Sequence, residues 1–174
     1  MKLRTLALVS GLVLMNAPIL RAEPLAVGAD APRLASSNQD GKAVNLGDLY
    51  GKGYVLVFFY PKADTSGCTA QACSLRDAYE DLTKRGVTVV GVSTDQADAQ
   101  KAFQAKYTLP FVLLADPEHK VVDAFGVPLR GTMASRQAFL IKDGKIVWRD
   151  LQASTAQQAA DVLAALDTLG NKAG

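Results

Sequence analysis

Past residue 53 the chain alternates between short unbroken apolar runs and longer stretches whose apolar residues recur at steps of three and four. Tyr54 to Tyr60 is the first run, rich in β-branched and aromatic residues and closed by Pro61. Such a run predicts a strand buried on both faces. Cys68, Ala72, Leu75, Tyr79 and Leu82 then mark one side of a helix predicted over Ser66 to Lys84. Glu80 with Lys84, and Asp81 with Arg85, add i,i+4 pairs in the favourable order. Val87 to Ser93 predicts a second buried strand, Gln96 to Tyr107 a helix closed before Pro110, Val112 to Ala115 a short strand, and Glu118 to Phe125 a short helix. Gln137 to Ile141 and Lys145 to Arg149 flank Asp143-Gly144, a strong hairpin signal. Thr155 to Leu169 is Ala-rich and amphipathic, a terminal helix. The stretch from Pro24 to Gly53 reads as loop-rich, with a small hairpin around Asp40-Gly41. This order predicts an α/β domain with a central mixed sheet and helices on both faces.

The N-terminus breaks that pattern. Lys2 and Arg4 precede the apolar stretch Leu6 to Met15, and Ala22 offers a cut before Glu23. This is the layout of a cleavable secretory signal peptide over residues 1–22, leaving a single domain over 23–174. An uncleaved anchor is the competing reading, against which the run is short of the roughly 20 residues that span a bilayer. The expected location is periplasmic or otherwise exported, with no membrane attachment after cleavage. Loss of Lys2, Arg4 and Arg21 turns the formal charge of +2 to −1. The basic balance thus belongs to the leader, and nucleic acid is not an expected partner.

Two cysteines carry the candidate chemistry. Cys68 falls in the first turn of the predicted helix, with Thr65 or Ser66 as its cap. Unpaired N–H groups and the positive end of the macrodipole favour a thiolate there. A buried, inert cysteine accounts equally well for Cys68 taken alone. Cys73 shifts the balance. Five residues along an intact helix separate Cα atoms by about 8.7 Å, whereas a disulfide needs less than about 7 Å. A static bridge would sacrifice the helix's first turns; a transient one, formed after local opening, conflicts with nothing. The spacing matches no usual zinc pattern, and neither a metal nor a cofactor is expected. A C-x-x-C pair is absent, which argues against a general disulfide oxidoreductase.

The stretch Phe58-Phe59-Tyr60-Pro61 through Cys68-Thr69-Ala70-Gln71-Ala72-Cys73-Ser74-Leu75-Arg76-Asp77 resembles the active-site region of peroxiredoxins, and most closely the bacterioferritin-comigratory-protein/PrxQ branch. The family's Pro-x-x-x-Thr-x-x-Cys pattern is met at Pro61, Thr65 and Cys68, and the branch's second cysteine at Cys73. Likeness continues through Gly91 to Asp95, Leu109 to Phe111, Ala115 to Pro117, Phe125 to Val127, and Arg136 ahead of Phe139 to Ile141.

The resemblance implies a thioredoxin-like fold and a thiol peroxidase acting on hydrogen peroxide and organic hydroperoxides. Cys68 would be the peroxidatic nucleophile and Cys73 the resolving thiol, joined in a transient disulfide. Thr65 would hydrogen-bond thiolate and peroxide, Arg136 would supply a fixed positive charge, and Pro61 would shield the pocket. The implied partner is a thioredoxin-like reductant in the exported compartment, and the implied state is a monomer. Two departures stand out: Ser66 where many relatives carry proline, and Gln137-Ala138 in place of small hydroxyl residues. Two other readings predict different behaviour. An exported thiol–disulfide exchanger would ignore peroxide, and a binding domain with a structural disulfide would lose stability on reduction.

Overall fold

The computed structural model describes residues 23–170. The leader assigned to residues 1–22 lies outside them. Strands β1 (Ala35–Asn38) and β2 (Ala43–Asn45) form the small hairpin expected around Asp40-Gly41 and lead into a 3₁₀ turn at Leu46–Leu49. There follow β3 (Tyr54–Phe59), α1 (Ser66–Asp77), α2 (Tyr79–Lys84), β4 (Val87–Ser93), α3 (Ala97–Tyr107), β5 (Val112–Ala115) and α4 (Lys120–Ala124). A short pair, β6 (Leu129–Arg130) and β7 (Met133–Ala134), precedes β8 (Gln137–Lys142), β9 (Lys145–Asp150) and α5 (Gln158–Gly170). Seven strands make one mixed sheet in the order β2-β1-β5-β4-β3-β8-β9. Strand β4 runs parallel to both β3 and β5, while β8 is antiparallel to β3.

The unbroken apolar runs work as expected, each feeding two cores. Leu56, Phe58 and Tyr60 point into a cluster with Ala72, Leu75, Leu82, Phe103, Val162 and Leu166, beneath α1, α2, α3 and α5. Val55, Val57 and Phe59 point the other way, against Leu46, Val121, Val122 and Phe125. The register sets Phe58 between Gly91 and Ala138, and Gly91 beside Leu113. A Cβ on Gly91 would stand 2.7 Å from Leu113 Cδ2 and 2.8 Å from Phe58 Cζ, so the large ring needs its small neighbour. Ala138, likewise small, is fully buried opposite Phe58 on the other side.

Three expectations are corrected. The helix predicted over Ser66 to Lys84 is two helices, broken at Ala78 (φ −96°, ψ 9°). Neither glycine nor proline marks the break. It arises from contacts distant in sequence: Arg76 donates to Tyr107 O at 2.9 Å, Tyr79 packs on the Phe111 ring, and Leu82 turns into the core. Of the two predicted i,i+4 pairs, Glu80–Lys84 forms at 2.7 Å, but Arg85 pairs with Asp167 on α5 rather than with Asp81. The helix expected from Glu118 starts only at Lys120, because His119 takes up φ 60° at its N-cap. The β6–β7 pair and the joining of β1 to β5 were not legible as pattern; each rests on only two register pairs.

Burial pushes the Tyr50 and Tyr60 phenols well above their ordinary value of 10.0, against the pull of Arg33 on the first and of hydrogen bonding with Ser93 and Gln100 on the second. Below pH ~10 folded and unfolded chains both hold these protons. As pH rises past that value the unfolded chain releases protons that the folded chain keeps, so stability is full below it and falls above it, by at most about 1.4 kcal/mol per pH unit for each phenol. Urea unfolding midpoints should therefore be level up to pH ~10 and drop beyond it, with a shallower drop in Tyr60→Phe. Midpoints that stay level well above pH ~10 would contradict this.

Candidate active site

Strand β3 ends at Phe59, and a short loop carries the chain from Pro61 over the sheet edge into α1. The loop is pinned from beneath: the Ala63 N–H donates to Asp95 Oδ2 at 2.7 Å, and Ser93 Oγ donates to the same oxygen at 2.7 Å. Ser93 in turn accepts from Gln100 Nε2 at 2.8 Å, and Gln100 Oε1 accepts from the buried Tyr60 hydroxyl. A polar thread therefore runs from the loop's backbone to the ring of Tyr60 in the core.

Cys68 lies in the first turn of α1 with 1% of its surface exposed; Cys73 is half-buried, and both are free thiols in an unbroken helix. Arg136, the residue before β8, reaches this turn. Its Nη2 donates to Cys68 Sγ at 3.5 Å, and its Nη1 donates to Gln71 Oε1. Fully buried Gln71 passes the link on, donating from Nε2 to Gln158 Oε1 at 2.8 Å. Gln158 is also fully buried, in the first turn of α5, and Ser74 Oγ accepts the next backbone N–H, that of Ala159, at 3.1 Å. A free amide can turn end for end. The guanidinium only donates, so Gln71 must turn its oxygen to Arg136 and its Nε2 to Gln158, which answers with Oε1.

The glycine before Cys68 makes room for the arginine. A Cβ on Gly67 would stand 3.2 Å from Arg136 Nη2 and 3.4 Å from Thr155 Cγ2. Gly67→Ala should act in opposite senses on two measurements. The helix gains up to about 1 kcal/mol from the better helix former, while displacement of the guanidinium slows the reaction of Cys68 several-fold. Thermal melts alongside thiol kinetics would show it; equal kinetics would mean that the arginine tolerates the shift.

Of the residues singled out from sequence, Cys68, Arg136 and Pro61 come together: Pro61 and Arg136 line one groove of about 740 Å³ with Leu129, Gln137 and Leu151. Thr65 takes the N-cap position (φ −92°, ψ 153°), but its side chain makes no cap bond and instead donates to Lys62 O at 3.0 Å. A hydroxyl has one proton, so in this state Thr65 cannot also donate to Cys68. Ser66 does not cap the helix either, being its first residue. Sequence reasoning missed Gln71 and Gln158. Gln71 could have been found three residues after Cys68 on the same helix face. Gln158 is a polar residue in register with the buried Ala159, Val162, Ala165 and Leu166, and that mismatch was the signal.

Comparison with known proteins gives the family. The AhpC/TSA family model matches residues 27–149. The chloroplastic peroxiredoxin Q of Oryza sativa subsp. japonica is 44% identical over 122 residues, covering 69% of this chain and 56% of its own. Peroxiredoxin Bcp of Escherichia coli strain K12 is 50% identical over 104 residues, covering 60% of this chain and 66% of its own. The chain thus spans little more than half the length of the plant relatives it matches. Among solved structures, peroxidoxin BcpB from Mycobacterium tuberculosis superposes with a TM-score of 0.76 at 31% identity, covering 82% of this chain and 96% of that one. The fold is the thioredoxin-like fold of peroxiredoxins, and the chain belongs to the AhpC/TSA family, with relatives in its peroxiredoxin Q and Bcp branch.

Proposed function

We propose that this chain is a thiol-dependent peroxidase of the atypical two-cysteine type, reducing hydrogen peroxide and organic hydroperoxides. The carrying observation is the guanidinium of Arg136 at 3.5 Å from Cys68 Sγ, in the first turn of a helix that also holds Cys73. A thiolate at Cys68 faces the N-terminal N–H groups of α1 and a permanent cation. It attacks the near oxygen of the peroxide; the O–O bond breaks, the leaving oxygen takes a proton and departs as water or alcohol, and Cys68 is left as sulfenic acid. The same cation meets the charge that grows on the departing oxygen. Pro61 screens the sulfur from bulk water. Thr65 contributes once its hydroxyl gives up Lys62 O. Cys73 then attacks the sulfenic sulfur, forming the Cys68–Cys73 disulfide and releasing water. A thioredoxin-like dithiol restores both thiols by exchange.

The disulfide requires α1 to open, and its start is weakly made. Gly67 costs about 1 kcal/mol against alanine in a helix interior, and the missing cap bond from Thr65 forgoes about another. Residues 1–22 direct export in this reading, so the reductant belongs to the exported compartment and the mature chain acts as a monomer.

The test is rapid quench and intact mass after one equivalent of hydrogen peroxide. Loss of two hydrogens within seconds is expected, with Cys73→Ser stopping at a single added oxygen that a sulfenic-acid trap captures. Two thiols that persist for many minutes in the wild-type protein would sink the proposal and favour the exchanger.

A further inference from the structure

The segment bearing both cysteines is held at its two ends by one residue. Tyr107, the last residue of α3, donates its hydroxyl to Asp64 Oδ1 at 2.7 Å, and its backbone carbonyl accepts from Arg76 Nη1 at 2.9 Å. Lys106 reinforces the first contact, with Nζ at 2.9 and 2.7 Å from the two oxygens of Asp64 and 5.2 Å from the Tyr107 ring centroid. The Tyr107 ring itself packs edge-on against Phe103 at 5.4 Å. Asp64 sits at φ 57°, in the left-handed region that Asp and Asn enter more readily than other residues with a Cβ. Asp64 lies four residues before Cys68, and Arg76 three residues after Cys73.

We propose that Tyr107, with Asp64 and Arg76, is a positioning clasp that confines opening of α1 to residues 65–75 and sets the rate at which Cys73 reaches Cys68. The inference deepens the peroxidase reading and rests on it for its place in the cycle. An intact helix keeps the two sulfurs apart, so resolution waits on opening. Anchoring both ends at one point removes conformational freedom from the opened segment while leaving the closed helix unaffected, which disfavours opening. Proximity of the two thiols within the opened segment is set by the residues between them, not by the anchors. Loosening the clasp therefore speeds disulfide formation and leaves the first attack on peroxide nearly unchanged. It also reduces escape of the sulfenic acid to sulfinic acid, since the two fates compete.

Two variants separate this from a general structural role. Tyr107→Phe keeps the ring and the carbonyl but loses the hydroxyl. Asp64→Asn keeps the side-chain shape and tolerates positive φ but loses the charge. In the reduced protein, amide hydrogen exchange over residues 66–75 should quicken roughly three- to tenfold in each, the equilibrium equivalent of one hydrogen bond. Exchange in β3 and β4 should not change. Diamide, which joins two thiols and is itself reduced to the hydrazine, should close the Cys68–Cys73 disulfide faster by a similar factor. Exchange and closure at wild-type rates in both variants would overturn the proposal, as would quickening spread through the whole sheet. Neither readout uses peroxide. A wild-type protein indifferent to peroxide would overturn the peroxidase reading, and the clasp would still be judged by exchange and by diamide.

Discussion

Cys68→Ser is expected to abolish peroxide consumption while leaving a folded protein. Sulfur is polarisable and ionises within reach of neutral pH; a serine hydroxyl does neither, so no group in the first turn of α1 could attack the O–O bond. Cys73 does not substitute, because it lies beyond the first turn of α1, and Arg136 donates to Cys68 and Gln71 instead. The structural effect is small. Serine is slightly smaller than cysteine, and the Arg136 Nη2 that now points at sulfur can donate to the new oxygen, so the buried hydroxyl is not left unpaired. A melting temperature within a few degrees of wild type is expected alongside the loss of turnover. The decisive measurement is consumption of hydrogen peroxide in the presence of a dithiol reductant. Retained turnover would transfer the nucleophile to Cys73 and undo the proposed order of events.

Arg136→Met should give the second-largest effect, a fall of roughly 10²–10³ in the rate of the first oxidation, comparable to loss of one preorganised donor at a developing anion. The Coulomb scale supports that range. Unit charges 4 Å apart interact by about 4 kcal/mol at an effective dielectric of 20, and solvent reaching the half-buried guanidinium reduces this. Methionine keeps much of the side-chain volume but leaves Gln71 Oε1 buried without a donor, at a cost of about 1–3 kcal/mol in stability. Arg136→Lys restores the charge but has no second nitrogen in a fixed fork, so it cannot serve Gln71 and Cys68 in one geometry. Rates ordered Arg, Lys, Met in stopped-flow oxidation are expected. Equal rates in Arg136→Met would remove the arginine from the chemistry and leave the helix N-terminus to activate the thiol alone.

Both of these residues stand out in the sequence alone. Cys68 was marked by the turn from an apolar strand into a helical period, and Arg136 by its place in a family pattern rather than by any local signal. The strands were legible because a short, unbroken apolar run has little choice but to be covered on both faces. Ends and breaks were less legible where contacts distant in sequence decide them. Ala78 interrupts a good helical period because Arg76, Tyr79 and Leu82 each answer to a different partner. Arg85 leaves Asp81 for Asp167, since an exposed i,i+4 pair gains so little that a competing carboxylate wins. Gln71 and Gln158 are 87 positions apart and meet only in the folded chain. The Thr65 hydroxyl shows the limit of pattern most clearly. The sequence correctly placed it at the head of α1, but its single proton goes to Lys62 O, a choice fixed by loop geometry.

The contact between Gln71 and Gln158 has a consequence for how this domain tolerates change. A terminal helix is usually the part of a fold most easily trimmed, exchanged with a homologue's or used as a fusion point. Here α5 supplies the outermost member of a hydrogen-bonded series that ends on Cys68 Sγ. A chimera that swaps α5 for a helix of like packing but without its glutamine would retain the sheet yet leave Gln71 Nε2 without its partner. Modular boundaries drawn from burial alone would miss this: the hydrogen-bonded series around Cys68 extends to the first turn of α5, and recombination preserves it only if residues 71, 136 and 158 travel together.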